Sequence, residues 1–303
     1  MTLTLIQMTI VMACGVGWRL VSPAGLTAEQ TRPVLTTVVY YVFLPALILD
    51  VLWTANIGLE SFEYTVVGVG GILLILLITW SVVWLFKFSR PKAGAILLAT
   101  AFPNVTYLGL PILEQTFGSW ARSVAIQLDL FAAGPLLFTV GVMVARYYGD
   151  DKSEKKSILS FLNTPPFLAA FIAIFLNLNH VSTPDWLSGV LKQLSAAVVP
   201  LMLFSIGLAL CWNAVRWKNI PYIIPVILIK LFVMPLVIIE MVSYLSMDDQ
   251  HKAATVIDMA MPSMVLGIVF CDQYKLDSSL YAMAVTVTTF CSIFTLPFWY
   301  GVL

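Results

Sequence analysis

Ten apolar runs, each long enough to cross a bilayer, dominate the sequence: about 3 to 21, 34 to 54, 62 to 86, 93 to 117, 121 to 147, 165 to 179, 187 to 212, 219 to 245, 252 to 274 and 279 to 302. A helix needs about 20 apolar residues to span the hydrocarbon core, and in lipid every backbone N–H and C=O must be satisfied internally. The runs therefore predict an all-α integral membrane protein with ten transmembrane helices. Of the 303 residues, 60% are hydrophobic and 11% charged, whereas a soluble domain carries about 25% charged residues. Sixteen basic residues balance sixteen acidic ones, so no net charge draws the chain to nucleic acid. The first run has no basic segment before it and no small-residue cleavage site, and reads as a retained span.

Lys and Arg in short loops stay on the cytoplasmic side. With the N-terminus outside, the inward loops hold twelve of them: Arg19, Arg32, Lys87, Arg90, Lys92, Arg146, Lys152, Lys155, Lys156, Arg216, Lys218 and Lys275. The outward loops hold Arg122, Lys192 and Lys252, and Lys230 lies inside the eighth run. Both termini are expected outside. The polar stretch GDDKSEKKS at 149 to 157 then becomes a cytoplasmic loop, which divides the chain into 1–148, a linker 149–160, and 161–303.

The two halves answer each other. Ala101-Phe102-Pro103-Asn104 in the fourth run matches Ala260-Met261-Pro262-Ser263 in the ninth, 159 residues later, and each is followed by Leu-Gly. Leu44-Pro45-Ala46-Leu47 and Val199-Pro200-Leu201-Met202 correspond with their prolines 155 residues apart. Five spans per half is an odd number, so the second half enters the membrane in the opposite sense and the repeat is inverted.

An interior proline deletes one backbone hydrogen bond and clashes with the carbonyl four residues earlier. Pro103 and Pro262 thus free the carbonyls of Ala99 and Asp258, and Asn104 and Ser263 can cap a new helix start. Each motif reads as helix, break, helix, with half-helix N–H groups available to a small anion near the midplane. Pro45 and Pro200 fit a kink or a site-forming break equally.

Ionisable residues within spans suggest function. Here they are Asp50, Glu114, Asp129, Lys230, Glu240, Asp258 and Asp272. Glu114, Glu240 and Asp272 lie near run ends and read as reaching the interface. Lys230 and Glu240, ten residues apart on one span, are about 15 Å apart along the axis, so each needs a partner from another helix. Asp129, beside Gln127, is the first candidate for proton coupling or substrate contact. Asp258, one turn before Pro262, is the alternative, where its carboxylate and freed carbonyl could hold Na⁺ or a proton. A structural hydrogen-bonding role remains open for both.

No HExxH, GxSxG, P-loop or GxGD motif is present, so hydrolytic, ATP-driven and proteolytic chemistry lack their usual residues. Neither a cofactor nor a metal is called for. The cysteines, Cys14, Cys211, Cys271 and Cys291, form no CxxC pair and read as packing residues. His180 and His251 read as surface residues without ligand-spaced neighbours. Trp53, Trp80, Trp84, Trp186, Trp212, Trp217 and Trp299 fit an interfacial belt.

The stretches AFPNVTYLGLPILEQTFG, AMPSMVLGIVFCDQYKLD with TVTTFCSIFTLPFWYGVL after it, and YYVFLPALIL resemble the auxin efflux carrier family across essentially the whole chain. That family includes the plant PIN-type auxin carriers and prokaryotic carriers of malonate and other carboxylates. The resemblance implies a PIN-like, bile-acid-symporter-like fold: two inverted five-helix repeats, crossing fourth and ninth helices, and scaffold and transport helix groups working as an elevator. It places a substrate-contacting Asn at Asn104, while Ser263 departs from the pseudo-symmetric pattern. The short cytoplasmic loop fits a bacterial protein of the inner membrane. The expected function is secondary transport of a small organic anion bound by Asn104 and the N–H groups after Pro103 and Pro262, with Gln127 and Asp129 completing the pocket. The expected partners are that anion, the bilayer, H⁺ or Na⁺ as coupling ion, and a second copy in a homodimer. A sodium-coupled symporter using Asp258 and Ser263, and a ligand sensor without flux, are the alternatives.

Overall fold

The computed structural model describes residues 2–55, 57–149, 163–210 and 217–303. The linker at 149–160 lies outside them except for Gly149, as do Cys211, Trp212 and Arg216. Among the described residues the chain is helical, with one isolated antiparallel bridge and no strand. Six helices are long and apolar enough to cross a membrane: α2 (Ala28–Leu52), α3 (Leu59–Leu85), α6 (Ala121–Tyr148), α8 (Asp185–Ala209), α9 (Trp217–Ser243) and α12 (Ser278–Val302). Helix α1 (Thr2–Val21) and the shorter α7 (Pro165–Leu178) are also apolar.

Two further rods are broken. Helix α4 (Arg90–Ala101) stops before Pro103, and a π-helical turn, Val105–Gly109, leads into α5 (Leu110–Phe117). Helix α10 (Asp249–Met259) stops before Pro262, and α11 (Gly267–Gln273) resumes after it.

Most of the other interior prolines do not break their rods. π turns at Val39–Phe43, Val105–Gly109, Asp129–Ala133 and Ile229–Val233 are each followed, two residues on, by Pro45, Pro111, Pro135 and Pro235. Widening the turn by one residue removes the carbonyl that the pyrrolidine ring would strike and the bond its missing N–H would owe. Pro45 is therefore absorbed in a continuous α2, and Pro200 sits inside a continuous α8. Neither forms a break.

The helices fall into two packed groups. In one, α8 packs on α1 and α2, and α7 packs on α2; in the other, α3, α4, α6, α9, α10 and α12 pack together around the breaks. The α1–α8 contact is backbone to backbone, because a Cβ on Gly15 would strike the carbonyl of Phe204 and one on Gly207 that of Met12. Small residues permit such close approach in lipid, where dispersion rather than water exclusion holds helices together. Asn177 of α7 ties down the end of α2, its Nδ2 lying within 2.8 to 3.1 Å of the carbonyls of Leu52, Trp53 and Ala55.

Several sequence expectations change. Trp53 and Trp299 are buried rather than interfacial, and their indole N–H groups donate to Val181 O and Leu231 O. Cys271 is buried, but Cys14 is exposed and Cys291 half-buried. Glu240 and Asp272 lie at exposed positions or helix ends, and Glu240 accepts from Tyr244 Oη at 2.7 Å. Glu114 is half-buried in a cavity at one end of the bundle, as described below.

Candidate functional site

The two breaks meet. Asn104 N–H donates to Pro262 O at 2.9 Å and Met264 N–H donates to Phe102 O at 3.0 Å, so Pro103 and Ser263 face each other in a short antiparallel bridge. Backbone groups left over by one break are thereby used by the other, as a water-poor interior requires. Helix α12 holds the second break: Ser263 N–H donates to Thr288 Oγ1 at 3.2 Å, and Tyr281 Oη donates to Met264 O at 2.7 Å.

This geometry corrects the expected donor set. The N–H groups of Asn104 and Ser263 are occupied, and Asp258 O accepts from Met261 N–H at 3.2 Å, so that carbonyl is not left over for an ion. The remaining first-turn N–H groups, those of Val105, Thr106 and Tyr107, have no carbonyl one helical turn earlier.

Asn104 is 2% exposed, and its Nδ2 has no hydrogen-bond partner. It lines a cavity of about 100 Å³ together with Thr106, Tyr107, Asp129, Tyr40 and Phe138. Thr106 Oγ1 donates to Asp129 Oδ2 at 2.5 Å, which joins the first break to the π turn of α6. Much of the remaining wall is apolar, including Leu44, Leu130, Phe167 and Met264. The arrangement offers one amide donor, one carboxylate and the hydroxyls of Tyr40, Thr106 and Tyr107 in a largely apolar wall.

Gln127 does not join this cavity. Its Nε2 donates to Ser123 Oγ at 2.7 Å, and it lines a separate cavity of about 960 Å³ at the end of the bundle carrying the α5–α6 turn. Two residues on a helix are turned by about 200°, so Gln127 and Asp129 point to opposite sides. Ser263 is fully buried behind the bridge, and Met264 supplies the cavity wall from the second break. Pro103 and Pro262 serve as the crossing itself.

The larger cavity holds residues that the sequence left apart. Arg122 lies 3.8 Å from Asp50 and 3.7 Å from Glu114 and bonds Ser195 Oγ, so it links α6 to α2, α5 and α8. As a charge beside a loop it signalled only topology. At the same end, His251 Nδ1 lies 2.7 Å from Asp248 Oδ2 and its Nε2 3.5 Å from Glu60 Oε2, with Trp120 against the ring at 4.4 Å between centroids. Asp248, three residues earlier, was visible beside His251 in the sequence, and the fold adds Glu60 from α3. Asp248 caps α10 by accepting His251 N–H at 2.8 Å, and that bond holds its carboxyl below the usual carboxylate range.

Residues 4–147 and 151–300 match the family described as membrane transport protein. The chain is 27% identical over 292 residues to an uncharacterized transporter of Methanocaldococcus jannaschii, with 91% of each chain covered. It is equally 27% identical to an uncharacterized transporter of Methanothermobacter thermautotrophicus, covering 92% of this chain and 91% of the relative. The uncharacterized transporter YfdV of Escherichia coli K12 is 21% identical over 220 residues, 71% of this chain and 69% of the relative.

Proposed function

The chain belongs to the membrane transport protein family, that of the auxin efflux carriers, and from that premise we propose that it is a secondary carrier of small organic anions, carboxylates foremost, across the bacterial inner membrane. It is a multi-pass membrane protein. The observation that carries the substrate reading is the buried, partnerless Nδ2 of Asn104 in the wall of the crossing cavity. A buried amide donor is stable only when something accepts from it, and a carboxylate oxygen does so well. The half-helix start at Val105 adds positive dipole character for the same charge.

In this reading the two five-helix halves are inverted repeats and both termini face outward. The group α1, α2, α7 and α8 is the scaffold, and the helices packed around the breaks carry the substrate past it as an elevator. Asp129, held by Thr106 in the same cavity, is the proton-coupling group: an anion beside its carboxylate repels it unless a proton is taken up with the substrate. Pro103, Asn104, Asp129 and Pro262 form the site and Ser263 backs it, whereas Gln127 faces the separate cavity and takes no part. Sodium coupling is the second reading, supported by the two carboxylate oxygens of Asp258, both buried and without a partner.

Uptake of labelled malonate, malate and indole acetate into proteoliposomes, with Na⁺ and proton gradients imposed separately, tests this. Flux driven by the proton gradient and abolished by Asn104→Ala is the expected result. Binding without flux under every gradient would instead make the protein a sensor.

A further inference from the structure

Gln127 belongs to the cavity of about 960 Å³ at the end of the bundle carrying the α5–α6 turn. Its Nε2 donates to Ser123 Oγ, while its Oε1, on a residue 2% exposed, has no hydrogen-bond partner. A buried carbonyl oxygen of this kind calls for a donor. Arg122 stands in the same wall. It donates to Ser195 Oγ, but its Nε lies 3.7 Å from Glu114 Oε1 and has no hydrogen-bond partner, and its Nη1 lies 3.8 Å from Asp50 Oδ2. Both separations exceed the roughly 2.7 to 3.2 Å of a hydrogen bond. The side chains of Asp50, Arg122 and Glu114 are 13%, 16% and 32% exposed, so three charges have lost much of their water without bonding one another.

The wall carries the carboxylates of Asp50, Glu60 and Glu114 against the cations of Arg122 and Lys192. A simple carboxylate on Arg122 would sit beside the two carboxylates already at 3.8 and 3.7 Å from that guanidinium, and like charges at such range repel. A simple amine would draw those carboxylates away and leave a largely buried guanidinium without its anions, which is costly. A zwitterion does neither, because its ammonium draws the carboxylates while its own carboxylate replaces them on Arg122. In an α-amino acid both charged groups hang on one carbon through bonds of about 1.5 Å, which keeps them about as close as the charges in the wall. Val51, Val124 and Val199 give the cavity apolar surface for a side chain. We propose that this cavity binds an α-amino acid as its zwitterion, with the carboxylate on Arg122 and the ammonium on Glu114, Asp50 and Gln127 Oε1. The ligand lies between the two helix groups, since Asp50 and Ser195 come from α2 and α8, and Glu114, Arg122 and Gln127 from α5 and α6. In the carrier reading the cavity becomes a loading place for amino-substituted carboxylates, separate from the crossing. That consequence rests on the reading, and the binding itself does not.

The test is calorimetry on the purified full-length protein with a panel of the common α-amino acids, L-leucine foremost, and with 4-methylpentanoate and 3-methylbutylamine as the same skeleton without one charge. Leucine should bind, and each control should bind about 10- to 100-fold more weakly, the usual effect of losing a hydrogen bond to a charged group. Glu114→Gln should weaken leucine and strengthen 4-methylpentanoate, because it removes an acceptor for the ammonium and a repulsion for the lone carboxylate. Gln127→Leu should weaken leucine without changing 4-methylpentanoate, and Asn104→Ala, in the other cavity, should leave leucine unchanged. No binding by any member of the panel, equal affinity for leucine and 4-methylpentanoate, Glu114→Gln shifting both in the same direction, or loss of leucine binding in Asn104→Ala would each overturn the proposal. If Gln127→Leu does not fold, the half-exposed Glu114 decides through the opposite signs expected of its variant. None of these measurements reads transport. Leucine binding without flux of any carboxylate would remove the carrier reading alone, and Asn104-dependent carboxylate flux without amino-acid binding would remove this proposal alone.

Discussion

The carboxylate of Asp258 rests against the Cα of Gly109, and a methyl group built on that glycine would overlap Oδ1. The contact joins the two broken rods a few residues away from their main-chain bridge. Gly109→Ala should therefore push the rods apart and destabilise the protein by about 1 to 3 kcal/mol, the usual range for overpacking. Thermal unfolding of the purified variant checks this, and an unchanged melting temperature would show that the crossing has slack.

Asn104→Ala removes a buried amide whose Nδ2 has no hydrogen-bond partner, so the fold should tolerate it. A hydrogen bond to a charged ligand contributes about 1.5 to 3 kcal/mol, which corresponds to roughly 10- to 100-fold in affinity. Carboxylate binding measured by calorimetry should weaken by that factor while the melting temperature stays within a degree or two. Unaltered affinity would refute the crossing as the binding place.

Arg122 and Asp50 are 3.8 Å apart and partly solvated, so their mutual attraction is modest. A double-mutant cycle on Arg122→Gln and Asp50→Asn, read by thermal denaturation, should give a coupling of about 0.5 to 1 kcal/mol. Arg122→Gln alone should lose more than Asp50→Asn, because it also abandons Glu114 and the bond to Ser195.

Asp248 titrates lower in the folded chain than in the unfolded one, chiefly because it accepts the His251 N–H. Its stabilising contribution is whole above the unfolded value of about 3.9 and is lost as the pH falls through the folded value. Asp248→Ala should cost about 1 kcal/mol at neutral pH, as expected for a lost helix cap. That difference from wild type should shrink below about pH 4. A constant gap in melting temperature between pH 7 and pH 3 would show that the carboxylate charge contributes nothing.

The crossing was legible because Pro103 and Pro262 announce lost hydrogen bonds at matching places in two halves. Which prolines break a rod was not. Pro45, Pro111, Pro135 and Pro235 delete the same bond, yet a π turn absorbs each one. The difference lies outside the local sequence, since a break persists where the other broken segment of the same chain stands ready to pair with it. For the same reason the sequence could not show that the N–H groups of Asn104 and Ser263 are already taken. The divergence of Gln127 from Asp129 could have been read, because residues two apart on a helix do not share a face. Arg122 was out of reach, as its partners Asp50, Glu114 and Ser195 come from other helices.

The bridge between Pro103 and Ser263 is made of main-chain bonds. A substitution at 104 that keeps the backbone path therefore leaves the docking of the two rods intact and alters only the side chain that the cavity meets. The fold separates the joint from its fittings, so in the carrier reading proposed above the ligand preference at this crossing can be re-engineered through position 104 without designing a new membrane scaffold around it.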